Sequence, residues 1–221
     1  MDSILDDVQI RVVGVLMEKE KTTPEYYPLT LNALTTACNQ KSNRNPVVAF
    51  DEKTVVCALE GLRNKELVRQ ISGAEMRVTK YYHLCRETFE ITDAQLAALT
   101  VLLLRGPQTL GEIRSRSQRL YQFSNLNEVE RTLSELEQGS GGPYVSLLPR
   151  MPGFKESRYA HLLAGEPEDL EPAENAVVEV ARLEVRAEHE RIASLEREVA
   201  SLKSELAVLR GELRDFRQQF E

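Results

Sequence analysis

Lys41, Arg44, Arg69, Arg77, Lys80, Arg114, Arg116 and Arg119 are the side chains whose types and spacing point to a chemistry, and that chemistry is the binding of phosphate. From Tyr26 to Phe50 the chain has no acidic residue, and Lys41 and Arg44 stand in the polar run Asn39-Gln40-Lys41-Ser42-Asn43-Arg44-Asn45-Pro46. Lysine and arginine meet phosphates, while asparagine and glutamine can meet phosphates or base edges. A capped surface loop is the competing reading. Arg69, Arg77 and Lys80 flank a turn further on, and Arg114, Arg116 and Arg119 follow Arg105, with Tyr121 and Phe123 close behind. For this last group the alternative is a solvated helix face with the two aromatics in the core.

No pattern for bond-making chemistry accompanies these cations. The chain has no GxSxG, Walker loop, HExxH or GxGxxG, the arrangements that activate a nucleophile, cradle phosphates or hold zinc. The glycines at 139–142 lead into an expected strand, where a phosphate cradle would lead into a helix. His83, His161 and His189 are isolated, and Glu128 and Glu130 stand two apart on an expected helix, pointing to different faces. Cys38, Cys57 and Cys85 are odd in number, form no CxxC and read as reduced, mostly buried thiols. The expectation is a protein that is not an enzyme and takes no cofactor or metal.

Net charge is −7, and its distribution matters more than its size. Residues 166–221 hold 8 Lys+Arg against 15 Asp+Glu, so the whole excess lies in the tail and residues 1–165 are neutral. A neutral domain can still bind DNA when its arginines share a face. The longest apolar stretch, Leu99 to Leu104, is far too short for a bilayer, and the acidic start MDSILDDVQI is unlike a signal peptide. A cytoplasmic location without membrane attachment is expected.

The elements that must position the cations repeat. Val8, Val12, Val15 and Leu16 share one helical face; Thr23-Pro24 starts a short turn; Thr30 caps a helix with Leu31, Leu34 and Ala37. Asp51 caps another, with Val55, Leu59 and Leu62 inward, and Leu67–Ile71 with Val78–Leu84 form a hairpin, or wing, around Ser72 to Glu75. The order then recurs. Thr92 with Gln95 and Thr109 with Glu112 form capping boxes, and Asn125 and Glu128 open a helix with Val129, Leu133 and Leu136 inward. Strands Tyr144–Leu148 and Arg158–Leu162 enclose a turn at Pro152-Gly153. Val55, Leu59 and Leu62 shifted by 74 positions fall on Val129, Leu133 and Leu136, which supports two copies of one fold.

An acidic linker, residues 165–172, precedes a C-terminal helix over 173–221. Ile192, Val199, Leu206, Leu213 and Phe220 occupy heptad position a, and Leu195, Leu202, Leu209 and Phe216 occupy d. In a parallel dimer the g–e pairs would be Arg191–Glu196, Glu198–Lys203, Glu205–Arg210 and Glu212–Arg217, all attractive. A parallel homodimer through residues 192–220 is expected; the alternative is one amphipathic helix folded onto its own domain.

The fold class expected is therefore mostly α with small β-hairpin wings: two tandem winged-helix domains, 1–88 and 89–164, and a C-terminal coiled coil. The strings Glu18-Lys19, Thr22-Thr23-Pro24-Glu25, Tyr27-Pro28-Leu29, Ala37-Cys38-Asn39-Gln40-Lys41, Asn43-Arg44 and Pro46-Val47 resemble the signature of the YceH-like bacterial proteins. Leu102 to Gly106, Gln108-Thr109, Gly111-Glu112, Arg114-Ser115-Arg116, Tyr121, Gly142-Pro143, Pro152-Gly153, Glu156 to Tyr159 and His161-Leu162 extend the resemblance. It implies tandem winged helices and supplies no catalytic residues to carry over. Two functions follow as expectations: a dimeric DNA-associated regulator, or a protein-interaction adaptor resembling the tandem winged-helix subunits of bacterial chromosome-condensation complexes. The N-terminal ends of the expected recognition helices carry Asp51-Glu52 and Glu128 with Glu130, and acid opposes insertion into a phosphate-lined groove.

Overall fold

Asp6 starts the first helix, α1 (Asp7–Thr22), by accepting from the Gln9 backbone N–H at 2.8 Å while the Gln9 side chain returns to the Asp6 N–H. This capping box satisfies two donors that the first turn leaves unpaired. The computed structural model describes residues 4–72, 78–139, 141–150 and 156–166. Arg77, the Pro152-Gly153 turn, nearly all of the acidic linker and the whole 192–220 seam lie outside the described residues.

Burial of α1 exceeds what one apolar face would give. Val12, Val15 and Leu16 are buried as expected, but every residue from Gln9 to Glu18 is buried with them. The helix α5 (Asp93–Arg105) is likewise buried from Leu96 to Leu104. A helix apolar all round, as α5 is over this stretch, belongs in a core, and α1, whose buried Arg11 and Glu18 find partners within the fold, packs against it at the centre of the described residues. Gly14 permits the close crossing: a Cβ there would lie 3.1 Å from Leu104 Cδ2 and 3.2 Å from Leu103 Cβ.

On the α1 side, Thr30 caps α2 (Leu31–Cys38) and Asp51 caps α3 (Glu52–Asn64), each accepting the backbone N–H three residues on. Strands β1 (Leu29–Thr30), β2 (Val68–Ile71) and β3 (Lys80–His83) form an antiparallel sheet in the order β1-β3-β2. The hairpin strands are slightly shorter than the sequence suggested. Two elements were not anticipated. One is β1, and the other is the short helix α4 (Cys85–Phe89), which ends where Glu90 turns left-handed at φ 51°.

The α5 side repeats this order. The capping boxes at Thr92–Gln95 and Thr109–Glu112 form as expected and open α5 and α6 (Leu110–Arg116), and Asn125 caps α7 (Leu126–Gln138). Strands β4 (Val145–Leu147) and β5 (Tyr159–His161) pair antiparallel. Gln108, just before α6, exchanges backbone hydrogen bonds with Tyr159 of β5 at 3.0 and 2.8 Å, as β1 just before α2 pairs with β3. Helices α3 and α7 begin and end 74 positions apart. Val55, Leu59 and Leu62 on one, and Val129, Leu133 and Leu136 on the other, are all buried. One core runs through both sides within the compact unit Met1–Glu168. No helix among the described residues is long and apolar enough to cross a membrane.

Candidate anion-binding site

Arg44, expected at the surface of the loop between α2 and α3, lies inside. Its side chain is fully covered and donates to both carboxylate oxygens of Glu18, at 3.1 and 2.6 Å. It also donates to the carbonyls of Ala37 and Asn43 and to Gln40 Oε1. A buried guanidinium needs such a complete set of acceptors, because each unpaired N–H forfeits its water without return. Arg44 is thus corrected from a phosphate contact to the structural base of the loop. Arg11 supports the same loop from α1, donating to the carbonyls of Cys38 and Pro46. Asn39 closes it by a two-way exchange with the Phe50 backbone.

With the loop held this way, Lys41 is exposed beside a cleft of about 390 Å³. Lys19 near the end of α1, Arg105 at the end of α5, Arg116 at the end of α6 and Arg119 in the following turn complete its cationic lining. Gln40, Ser42, Asn43, Thr22 and Thr23 add polar groups, and Val101, Leu104 and Leu120 an apolar wall. Glu18 is the single acid in the lining, and it is engaged by Arg44 and, at 3.7 Å, by Lys19.

Helix C-termini carry partial negative charge, which accounts for part of the gathering of Lys19, Arg105 and Arg116. Arg105 contacts Asn43 Oδ1, and Arg116 contacts Gln108 Oε1 and Glu112, the latter at 3.4 Å. Lys41 and Arg119 lie beyond those helix ends and meet no carboxylate among the described residues. Burial, with the charges of Arg116 and Arg44, holds the Arg105 guanidinium below its ordinary pKa. Glu18 and Glu112 act in the opposite direction on Arg105 and more weakly.

The other sequence candidates lie elsewhere. Arg69 and Lys80 stand on the β2–β3 hairpin, where Arg69 pairs with Tyr82 and Ile71 with Lys80, so both project from one face, opposite buried Val68 and His83. Arg114 donates to the Phe123 and Ser124 carbonyls and fastens the turn before α7.

At the heads of α3 and α7 the acids serve the backbone. Asp51 accepts from Thr54, and Glu128 accepts from the Ser124 N–H at 2.7 Å and the Tyr121 hydroxyl at 3.0 Å. Those bonds hold both carboxyls below their usual range, so both stay charged. Among the described residues there is no cluster of His, Cys, Asp and Glu able to hold a metal ion.

The profile described as "Protein of unknown function, DUF480" matches residues 5–154, which span every element from α1 to β4 and the whole cleft. The chain belongs to the DUF480 family. Bacterial proteins named UPF0502 are similar to it along their full length: one from Geobacter sulfurreducens is 55% identical over 221 residues, covering all of both chains, and one from Geobacter metallireducens is 56% identical over the same span. A UPF0502 protein of Opitutus terrae is 53% identical over 162 residues, 73% of this chain and 70% of its own.

Within this DUF480 chain, two groups at the cleft escaped the sequence-based set of cations. Lys19 and Arg105 stand near the ends of α1 and α5, far apart in the sequence, and nothing local says that those ends meet. A local signal did exist for Glu18, a carboxylate directly after Val15-Leu16-Met17 on an apolar helix. A buried acid requires a cation, and Arg44 supplies it.

Proposed function

We propose that the chain is a non-enzymatic, DNA-associated regulator of the bacterial cytoplasm, built from two winged-helix units and dimerised through residues 192–220. Support for the winged-helix reading comes from element order: helix, short strand, two helices and a hairpin, with β1-β3-β2 in the first half and the Gln108 bridge reproducing that pairing in the second. The YceH-like resemblance agrees with it.

The observation that carries DNA association is the shared outward face of Arg69 and Lys80 on the β2–β3 hairpin, next to α3. Exposed residues of α3 include Lys53 and Arg63 against Glu52 and Glu60, a balanced surface beyond the charged cap Asp51, so the attraction rests on the hairpin cations and not on the helix head. The exposed side of α7 carries Glu130 and Glu135, and its Arg131 is already paired with Glu135 at 3.7 Å. Contact is therefore assigned to the first half, through phosphates more than base edges.

Titration of the full-length protein against random-sequence duplex at low and physiological salt tests this. Modest affinity, weak sequence preference and steep salt dependence are expected, with the slope falling by about one unit for each of Arg69→Ala and Lys80→Ala. Absence of binding even at low salt would overturn the reading. The second reading, an interaction adaptor, would then lead, since the acidic outer face of α7 suits a basic protein surface.

A further inference from the structure

We infer that the cleft between α1, the α2–α3 loop, α5 and α6 binds a small phosphate-bearing ligand with two or more negative charges, such as a phosphate ester or diphosphate. Lys19, Lys41, Arg105, Arg116 and Arg119 line it against one acid, Glu18, whose two oxygens are already engaged by buried Arg44. Five cations stand against two carboxylates, Glu18 shared by Arg44 and Lys19 and Glu112 beside Arg116, so positive charge is in excess in a recess that excludes part of the solvent, and a polyanion would balance it.

The size fits. About 390 Å³ lies within the roughly 300–1,000 Å³ range of small-molecule sites. So does the chemistry: guanidinium forks and ammonium groups at the walls, hydroxyl and amide groups between them, and Val101, Leu104 and Leu120 to meet a ligand's carbon framework. The foundation is rigid, because the loop carrying Lys41 is fixed from beneath by Arg44, Arg11 and Asn39.

The walls also come from both sides of the fold. Lys19 and Lys41 belong to the α1–α3 side, and Arg105, Arg116 and Arg119 to the α5–α6 side. A ligand held by all five ties α6 to the α2–α3 loop, and one that binds only the folded state raises the melting temperature. This inference does not depend on DNA association, whose contacts lie on the β2–β3 hairpin.

The test is isothermal titration and thermal melting of the full-length protein with pyrophosphate and with ADP, using adenosine and ionic-strength-matched sodium chloride as controls. Saturable binding of one pyrophosphate or ADP per chain is expected, with a rise in melting temperature that neither control reproduces. Lys41→Glu with Arg119→Glu should weaken binding about tenfold or more without lowering the unliganded melting temperature, because both side chains are exposed and the change lessens the excess of positive charge. Arg69→Glu with Lys80→Glu should leave it intact. Failure of both probes to bind at millimolar concentration would overturn the inference, as would binding that survives the Lys41 and Arg119 changes. An effect of those two changes on duplex DNA, with neither small probe bound, would assign the cleft to a nucleic-acid surface and equally end the proposal.

Discussion

Arg44 and Glu18, 26 positions apart, form a two-pronged ion pair in which the arginine side chain is fully covered and the glutamate nearly so. The pair decides which cations of the loop remain available. It takes Arg44 inward, uses the one acid of the cleft, and leaves Lys41 facing solvent on a backbone that Arg44 itself holds.

Breaking one partner of such a pair leaves a buried charge without its counterion. Arg44→Ala is expected to destabilise the fold by ~3–5 kcal/mol. The double change Glu18→Leu, Arg44→Leu should cost less than Arg44→Ala alone, since it leaves no orphan charge. Urea unfolding of the three proteins checks both statements; a loss below about 1 kcal/mol for Arg44→Ala would mean that water reaches the pair freely.

Leu59 and Leu133 occupy matching places on α3 and α7 and are 2% and 0% exposed. Truncation of either to Ala should cost ~2–5 kcal/mol. Equal transfer energies are removed in the two cases, so any difference between them measures how far each half relaxes around its cavity. Chemical denaturation of the two variants separates the values.

Local chemistry was legible in the sequence. Thr30, Asp51, Thr92, Thr109 and Asn125 all cap the helices assigned to them, because an N-cap needs only a side-chain oxygen and an N–H two or three residues on. The third helices kept their phase and their 74-residue offset for a similar reason, since their polar and apolar faces are distinct. What was not legible depended on a distant partner. Ile10, Val13 and Met17 are buried on a helix that packs against α5 as well as α2 and α3, so a helix read as one-faced became central. The two-residue strand β1 exists only because β3 comes beside it. At the cleft, Lys41, Arg116 and Arg119 were named from composition, whereas their meeting with Lys19 and Arg105 is a product of the α1–α5 crossing.

His161 on β5 makes stability depend on acidity. Burial lowers its pKa to about 4, against the weaker opposite influence of Asp7, and its Nδ1 has no hydrogen-bond partner among the described residues. The unfolded chain, with an ordinary histidine near 6.5, takes up the proton first. The neutral ring's contribution is therefore complete above about pH 6.5 and is lost as pH falls toward 4, by up to about 3 kcal/mol. Melting of wild type and His161→Phe across this window should show a stability difference that shrinks or reverses as pH falls; a difference constant with pH would refute the assignment.

Thiol reactivity should divide by burial. Cys38 and Cys85 are buried, and burial pushes the Cys38 thiol up to about 12 and raises the Cys85 thiol strongly. Cys57 is exposed on α3. Thiolate is the reactive form, so a disulfide reagent at mildly alkaline pH should modify one thiol per folded chain and three after denaturation. Cys57→Ser should abolish the fast phase. Rapid reaction of two or more thiols in the native protein would contradict the burial of Cys38 or Cys85.

The proposed parallel dimer makes a demanding prediction because its evidence is a pattern with two independent parts. The a and d positions from Ile192 to Phe220 are all apolar, and the g–e pairs Glu198–Lys203, Glu205–Arg210 and Glu212–Arg217 are all of opposite sign five residues apart. Within one helix a five-residue spacing does not bring side chains together, so the matched signs of these pairs are accounted for by a second chain. Sedimentation at micromolar concentration should give a dimer, and Leu206→Lys should give a monomer by placing a charge in the seam. Reversing Glu205 alone to Lys should weaken association, and adding Arg210→Glu should restore it, which a generally damaged helix would not do. Cross-linking in a Cys57→Ser background then fixes orientation: with one copy carrying a cysteine at the start of the seam and the other at its start or its end, links between like ends support the parallel arrangement, and links only between opposite ends overturn it.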